Sequence, residues 1–247
     1  MSKWPELPNP PITEALLDIR CKLPPDVHLD SLAVLHEAMR DRYPNRRERR
    51  AYEASFQIKP EGQLEVLAPS GQPDGYLFTS ADGRQTVQTR LDGFTFNRLK
   101  PYMRWETFRD EAKVHWRAYA ELAKPETISR IALRYINRIE VPLPVQDFRE
   151  YVLTTPEIGP GLPQGLSNFL MRLELPDPRS GSTAIITETM EPPKDGRLPL
   201  ILDIDVIRET PFDPRSEGYW EVFEQLHDFA SEIFFRTVTD KARELFH

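Results

Sequence analysis

The stretch ISRIALRYINRIEV, residues 128–141, alternates between apolar and charged side chains. The apolar set shares one parity and comprises Ile131, Leu133, Tyr135, Ile139 and Val141. The charged set falls on the other parity and comprises Arg130, Arg134, Arg138 and Glu140. A period of two with one apolar and one charged face is typical of a half-buried β-strand. The stretch therefore predicts a strand in the middle of the chain with one face against the core.

Helices are predicted near the end of each half of the chain. Residues 105–124 carry apolar and aromatic side chains at spacings of three and four, which indicates an amphipathic helix. Pro125 ends that helix immediately before the central strand. Residues 219–235 show the same pattern close to the end of the chain. In both helices the aromatic residues have the spacing of a core face, so they predict packing rather than a cofactor site.

Antiparallel strands are predicted between these helices. Residues 12–23 alternate like the central strand, and a helix over 30–42 follows them. Strands are expected at 52–59, 63–68, 76–80, 84–91 and 94–99. Asp82-Gly83 and Asp92-Gly93 separate the last three, and Asp-Gly is a strong hairpin signal because both turn positions need φ above zero. In the second half, a short helix at 145–153 and strands at 166–175, 182–191 and 198–208 are expected.

The order of these elements predicts an α+β fold. Antiparallel meanders would carry long amphipathic helices packed on one sheet face, with the other face solvated. The same order of elements, strand, helix, meander and helix, is predicted for residues 1–125 and again for residues 126–247. This order fits a pseudo-duplication, and the two halves are expected to pack as one continuous globular unit. Coincidence between two generic α+β patterns is the alternative, since few residues match between the halves.

Composition excludes several classes of protein. The chain of 247 residues has 39 acidic and 32 basic side chains and a net charge of −7, which argues against a general nucleic-acid binder. Cys21 is the only cysteine, so neither an intrachain disulfide nor a four-cysteine zinc site can form. No apolar run reaches the roughly 20 residues that span a bilayer, and MSKWPELPNPP lacks the apolar core of a signal peptide. A cytoplasmic protein is expected.

The arginines of the central strand are candidate anion-binding residues. Arg130, Arg134 and Arg138 lie on one side of the strand, each about 13 Å from the next at about 3.4 Å per residue. Such a row can bind phosphates or an acidic partner. The alternative is a solvated face whose arginines pair with carboxylates of neighbouring strands.

Asp203 and Asp205 are the matching acidic candidates. In the sequence LILDIDVI both carboxylates share the polar face of a predicted strand, about 7 Å apart. They can hold a divalent metal or act as an acid–base pair, which would make the protein a metal-dependent hydrolase or nuclease. Neither a nearby histidine nor a downstream catalytic lysine pattern supports such a site, and the two aspartates can equally face the arginine row. No cofactor is predicted.

One basic run stands apart from the central strand. Arg46, Arg47, Arg49 and Arg50 surround Glu48 where a loop is expected to enter a strand. An acidic protein partner or a nucleic acid can bind such a run, although no interleaved aromatic residues favour base stacking. A solvated loop is the alternative.

Catalytic motifs are missing from the sequence. It contains no GxSxG, Walker, GxGxxG or HExxH pattern, and its five histidines do not cluster. The leading interpretation is therefore a non-enzymatic binding or interaction protein, with another protein as the expected partner. A small-ligand carrier with a cavity between sheet and helices is the other alternative to the metal-dependent enzyme.

Two motifs carry a resemblance to a known family. Residues 10–15 contain P-P-I-x-E-A and residues 134–139 read R-Y-I-N-R-I, while L-D-I-D-V and a final K-A-R-E-L-F occur later. In these motifs the chain resembles a sporadically distributed family of bacterial and archaeal proteins of similar length that has no assigned activity. The resemblance implies an accessory role in a mobile-element or defence context and names no mechanism.

Overall fold

A computed structural model describes residues 4–51, 56–58, 64–66 and 71–247. In chain order its strands are β1 (Ile12–Lys22), β2 (Asn45–Ala51), β3 (Phe56–Ile58), β4 (Leu64–Val66), β5 (Gln72–Thr79), β6 (Gln85–Arg90), β7 (Gly93–Leu99), β8 (Thr127–Pro142), β9 (Leu170–Asp177), β10 (Ser182–Met190) and β11 (Arg197–Arg208). The helices are α1 (Leu29–Ala33), α2 (Leu35–Met39), α3 (Trp105–Ala123), α4 (Gly218–Thr237) and α5 (Asp240–Arg243), and 3-10 turns lie at Phe148–Glu150 and Glu244–Phe246.

Nine strands form one antiparallel sheet. Its order is β2-β5-β6-β7-β1-β8-β11-β10-β9, while β3 and β4 pair with each other in a separate hairpin. At the centre, β8 pairs with β1 on one side and with β11 on the other. The predicted boundary at residue 125 falls between α3 and β8, and the pairing of β1 with β8 continues the sheet across it.

Alternation divides the sheet into two faces. On the covered face the central strands bury their apolar residues, among them Leu17, Ile19, Leu133, Leu202 and Ile204. Helix α4 contacts β8 and β11, and α3 contacts β7. On the polar face, Arg134, Asp203 and Asp205 are only partly buried. The core therefore lies between the covered face and the helices.

The predicted fold class is wrong. One nine-stranded antiparallel sheet dominates the molecule, with 39% of residues in strands and 26% in helices. Of the five α-helices in the described part of the chain, three have only four or five residues. The halves also differ, because the first supplies five strands to the sheet and the second four. The predicted architecture of repeated meanders under long helices does not describe this structure.

Several local predictions are confirmed and others are corrected. The central strand, the helices at α3 and α4 and both Asp-Gly hairpins are present. The helix expected at 30–42 is two short helices, and the one expected at 145–153 is only a 3-10 turn. Of the strands expected at 52–59 and 63–68, residues 56–58 and 64–66 are strands, and the remaining residues lie outside the described ranges.

Gly93 shows why the second hairpin needs glycine. It has a φ of 149° where β7 begins beside β1. A Cβ atom at this position would lie 2.1 Å from the backbone oxygen of Ile19, a distance that real contacts do not show. The turn and the close approach of the two strands both depend on the missing side chain.

Of the helices in the described ranges, none is long and apolar enough to cross a membrane.

Truncation on the two faces of β8 should have unequal effects. Leu133 is fully buried under the helices, so Leu133→Ala should lower the free energy of unfolding by about 2–5 kcal/mol through lost burial and a cavity. Ile136→Ala on the polar face should reduce the free energy of unfolding by less than about half of that amount, because Ile136 is only partly buried. Urea unfolding of both variants measures the difference. Equal losses would contradict the assignment of the two faces.

Candidate ligand pocket and the predicted sites

Each arginine of the central row has an acidic partner. Arg134 Nε donates to Asp203 Oδ1 at 2.8 Å, and Arg130 Nη1 donates to Asp18 Oδ2 at 2.9 Å. Arg138 Nη2 donates to Glu191 Oε2 at 3.0 Å, and Arg138 also pairs with Glu140. The row is thus neutralised across the sheet, which favours the interpretation of a solvated, ion-paired face over a free anion site.

Asp203 and Asp205 have different environments. Asp203 is held by Arg134, whereas Asp205 makes no hydrogen bond or ion pair with the described residues although it lies opposite Arg134 in register. Burial raises the pKa of Asp205 to about 6, against the opposing influence of Arg130 and Arg134. Within the described ranges no three His, Cys, Asp or Glu side chains are grouped so that they could hold a metal ion. The geometry therefore lends no support to a two-aspartate metal site.

A buried ion-pair network beside the row was not predicted. Arg90 is 2% exposed and donates to Asp18 at 2.8 Å and to Asp92 at 2.9 Å. Thr95 donates to the same Asp18 oxygen at 2.7 Å. Burial would raise the pKa of Asp18, but Arg90, Thr95 and Arg20 together lower it. Because all these groups satisfy one another, the network joins β1, β6 and β7 and leaves no free charge for a ligand.

The basic run is strand β2 at the edge of the sheet, not a loop. Arg46 lies over the ring of Tyr76 at 5.5 Å, Arg49 pairs with Asp74, and Arg50 lies 3.4 Å from Glu48. Since β2 is five strands away from β8, the structure does not bring the two basic features together. The expectation of a protein partner at Arg46, Arg47, Arg49 and Arg50 stays a prediction.

A pocket of about 160 Å³ lies between the covered face, α3 and α4. The central strands form its floor with Tyr135, Asn137 and Ile204. The start of α3, the second half of α4 and the N-terminal residues 4–12 supply the walls. The aromatic lining residues are Trp4, Tyr102, Trp105, Tyr135, Phe234 and Phe235. The pocket thus lies where the two longest helices meet the middle of the sheet.

A chain of polar groups crosses this pocket. The hydroxyls of Tyr102 and Tyr135 lie 3.2 Å apart, and the Tyr135 hydroxyl lies 3.1 Å from His227 Nδ1. The rings of His227 and Trp105 stack at 4.7 Å with an angle of 6° between their planes, and Trp105 Nε1 donates to Glu224 at 2.8 Å. Burial raises the pKa of Tyr102 and Tyr135 and lowers that of His227. At neutral pH the two tyrosines and His227 are therefore uncharged.

Asn137 is the residue that the sequence interpretation missed. It is 2% exposed and lines the pocket, and its Nδ2 donates to the backbone oxygen of Leu202 at 3.0 Å. Its Oδ1 receives no hydrogen bond from the described residues and is not fully buried. A signal was present in the sequence, because Asn137 has the same parity as Leu133 and Ile139 on the apolar side of the central strand. A polar side chain in a core-facing row is informative, since such groups are normally hydrogen-bonded.

The N-terminal segment forms one side of the pocket mouth. The ring of Trp4 stacks on Phe235 at 5.3 Å with an angle of 6°. Asn9 donates its backbone N–H to the oxygen of Phe246 at 2.9 Å. These contacts attach residues 4–12 to the end of α4 and to the C-terminal turn, so that segments distant in sequence enclose one site.

Two larger clefts have a different character. One, of about 360 Å³, includes Arg42, Asp82 and Arg98, and the other, of about 550 Å³, includes Arg117, Lys124 and Glu217. Ionised side chains form much of both linings and can remain hydrated. Ligand sites are more often concave and largely apolar with a few placed polar groups, which is the description that fits the aromatic pocket.

Glu188 is a buried acid outside the pocket. It is 3% exposed on β10 between Met171 and Leu202, and its Oε1 has no hydrogen-bond partner in the part of the chain that the structure describes. Burial raises its pKa to about 7. The side chain is thus held in a place that favours its protonated form.

Comparison with known proteins supplies no family. No family model matches the chain, and a search of curated proteins finds no significant match. The resemblance based on R-Y-I-N-R-I and P-P-I-x-E-A therefore stays a prediction. The pocket and its polar groups are the features from which a function can be inferred.

Glu188→Gln should stabilise the protein at alkaline pH. The pKa of the Glu188 carboxyl is about 4.5 in the unfolded chain and about 7 in the folded chain. Between these two pH values the folded chain binds more protons than the unfolded chain, so the free energy of unfolding falls as the pH rises. At pH 8 the variant should therefore be about 1–3 kcal/mol more stable than the wild type, and the gain should shrink toward pH 5. Urea unfolding at both pH values measures this, with exposed Glu174→Gln as the control. A gain independent of pH would contradict the explanation.

Proposed function

We propose that this protein is a non-enzymatic binding protein that holds a small molecule in the pocket between α3, α4 and the sheet. The observation that carries the proposal is a pocket with aromatic walls and a buried asparagine whose acceptor oxygen has no partner among the described residues. An acceptor oxygen in the wall of a pocket that receives no donor from the protein can accept a hydrogen bond from a ligand, which adds to the affinity. The proposal develops the expectation of a carrier with a cavity between sheet and helices.

The size of the pocket supports a small ligand. Its volume of about 160 Å³ is close to that of an engineered apolar cavity of about 150 Å³ in another protein, which holds benzene. The enclosed part therefore accommodates one aromatic ring, and the open mouth beside residues 4–12 leaves room for a substituent. A macromolecular partner would instead require a broad surface of several hundred Å².

The chemistry of the lining supports binding rather than catalysis. The pKa of Tyr135 lies well above its usual range, so the tyrosinate does not form near neutral pH. His227 has a lowered pKa and its Nδ1 bonds with Tyr135, which fixes the ring against Trp105. These groups orient one another by hydrogen bonds and stacking, and their shifts move them away from proton transfer at neutral pH.

Other expectations about function are not part of this proposal. The metal-dependent hydrolase at Asp203 and Asp205 is not favoured, since Arg134 holds Asp203. A protein partner at strand β2, a cytoplasmic location and a mobile-element or defence context stay predictions. None of them conflicts with a small-molecule site on the covered face.

A side chain that fills the pocket should abolish binding. Ser231 lines the pocket on α4, so Ser231→Phe should weaken the binding of phenol, used as a probe, at least about tenfold by occupying the space of one ring. Gln225→Phe adds the same ring on the exposed side of the same helix and should leave binding unchanged. Titration followed by ligand-observed NMR measures both affinities, and thermal unfolding confirms that both variants fold. Unchanged binding in Ser231→Phe would refute the pocket as the site.

A further inference from the structure

We infer that the ligand of this pocket is a small uncharged aromatic molecule with an N–H or O–H donor, and that Asn137 Oδ1 accepts its hydrogen bond. The inference rests on the proposed function and names the class of ligand. Three features of the pocket lead to it: the fixed amide of Asn137, the aromatic walls, and the position of the charged side chains.

The amide of Asn137 is held in one orientation. Its Nδ2 donates to Leu202, the residue directly opposite on β11, at 3.0 Å. Turning the amide would break this bond, so the oxygen keeps its orientation. The residue lines the pocket floor and is only 2% exposed, and its oxygen receives no donor from the described residues. A ligand with a hydrogen-bond donor supplies the missing partner.

The tyrosine hydroxyls of the pocket already have hydrogen-bond partners. The Tyr102 and Tyr135 hydroxyls bond with each other, and the Tyr135 hydroxyl also bonds with His227 Nδ1. A ligand can contact these side chains, but they do not need a ligand to complete these hydrogen bonds. Asn137 is 2% exposed, whereas Ser231 and His227 are only partly buried and keep access to water. Asn137 is therefore the group that best distinguishes a ligand with a donor from a ligand of the same shape without one, since buried polar groups reject partners that leave them unpaired.

The walls favour a flat ring. Trp105 and His227 present a parallel stacked pair, and Trp4 and Phe235 present another across the pocket mouth. Tyr102 packs edge-on against Tyr135, with an angle of 81° between the rings. Aromatic faces and edges at these positions can stack on or pack edge-on against a planar ligand, which adds to the burial of its surface.

The charges of the lining exclude an ionised ligand. Its carboxylates and guanidinium belong to Glu6, Arg104 and Glu106, and all three residues are exposed at the mouth. Arg104 and Glu6 form an ion pair at 3.5 Å. A charged group placed on the floor beside Asn137 would lose its hydration without an ionic partner, which is costly. The ligand class is therefore uncharged.

Phenol and toluene test this inference as a matched pair, because they differ by a hydroxyl in place of a methyl group. The probes are titrated into the full chain labelled with ¹⁵N, and the indole signals of its four tryptophans are recorded. Phenol should bind at least about fivefold more tightly than toluene, in line with one added hydrogen bond. The indole signals of Trp105 and Trp4 should shift on addition of phenol. The signals of Trp116 and Trp220 should not shift, because these residues lie outside the pocket. Benzoate and benzylammonium should bind at least about tenfold more weakly than phenol.

Asn137→Leu supplies the control for the hydrogen bond, since leucine has a similar shape without the amide. The variant should bind phenol and toluene equally. If it does not fold, anisole replaces it in the wild type, because anisole lacks the donor and should bind like toluene. Equal binding of phenol and toluene by the wild type at Trp105 would overturn the ligand class and leave the pocket in place. Shifts of neither Trp4 nor Trp105 with any probe would overturn the proposed function as well.

Discussion

The antiparallel pairing of β8 with both β1 and β11 is the constraint on which the rest of the structure depends. Because side chains alternate along a strand, a slip of one residue would move Leu133 to the polar face and Arg134 into the core. Burying an arginine without its partner is far more costly than the stability of an ordinary domain allows. The register therefore fixes both faces at once: the apolar row under the helices and the ion pair of Arg134 with Asp203 on the other side.

The same register produces the pocket. It places Asn137 opposite Leu202 on the covered face, in a row that is otherwise apolar. Helix α3 begins at Trp105 and α4 passes over β8 and β11, so the floor around Asn137 is walled by the start of one helix and the second half of the other. Trp4, attached to Phe235, closes one side. The pocket thus lies over the central strand β8, at the point where Asn137 interrupts the apolar row between Tyr135 and Ile139.

Local periodicity predicted those elements whose pattern is long. The central strand, α3 and α4 each repeat their pattern over many residues. Asp-Gly located two hairpins, although only the glycine of each pair has φ above zero. The fold class was wrong because it depends on how many strands join one sheet, and pairing between distant strands leaves no local signal. The sequence does not predict strand β2, since its exposed arginines do not alternate with apolar residues. The pocket could not be predicted, because residues near 4, 105, 137 and 230 meet only in the folded chain.

The pocket over the middle of the sheet is the proposed ligand site, in which Asn137 selects the ligand. A crystal structure of the protein soaked with 4-bromophenol tests this most directly, because the anomalous signal of bromine locates the molecule without bias. We expect one ring between Trp105 and Phe235, with its hydroxyl about 2.5–3.0 Å from Asn137 Oδ1. Bromine found only on the polar face or in the two charged clefts, with the space above Asn137 unoccupied, would contradict it.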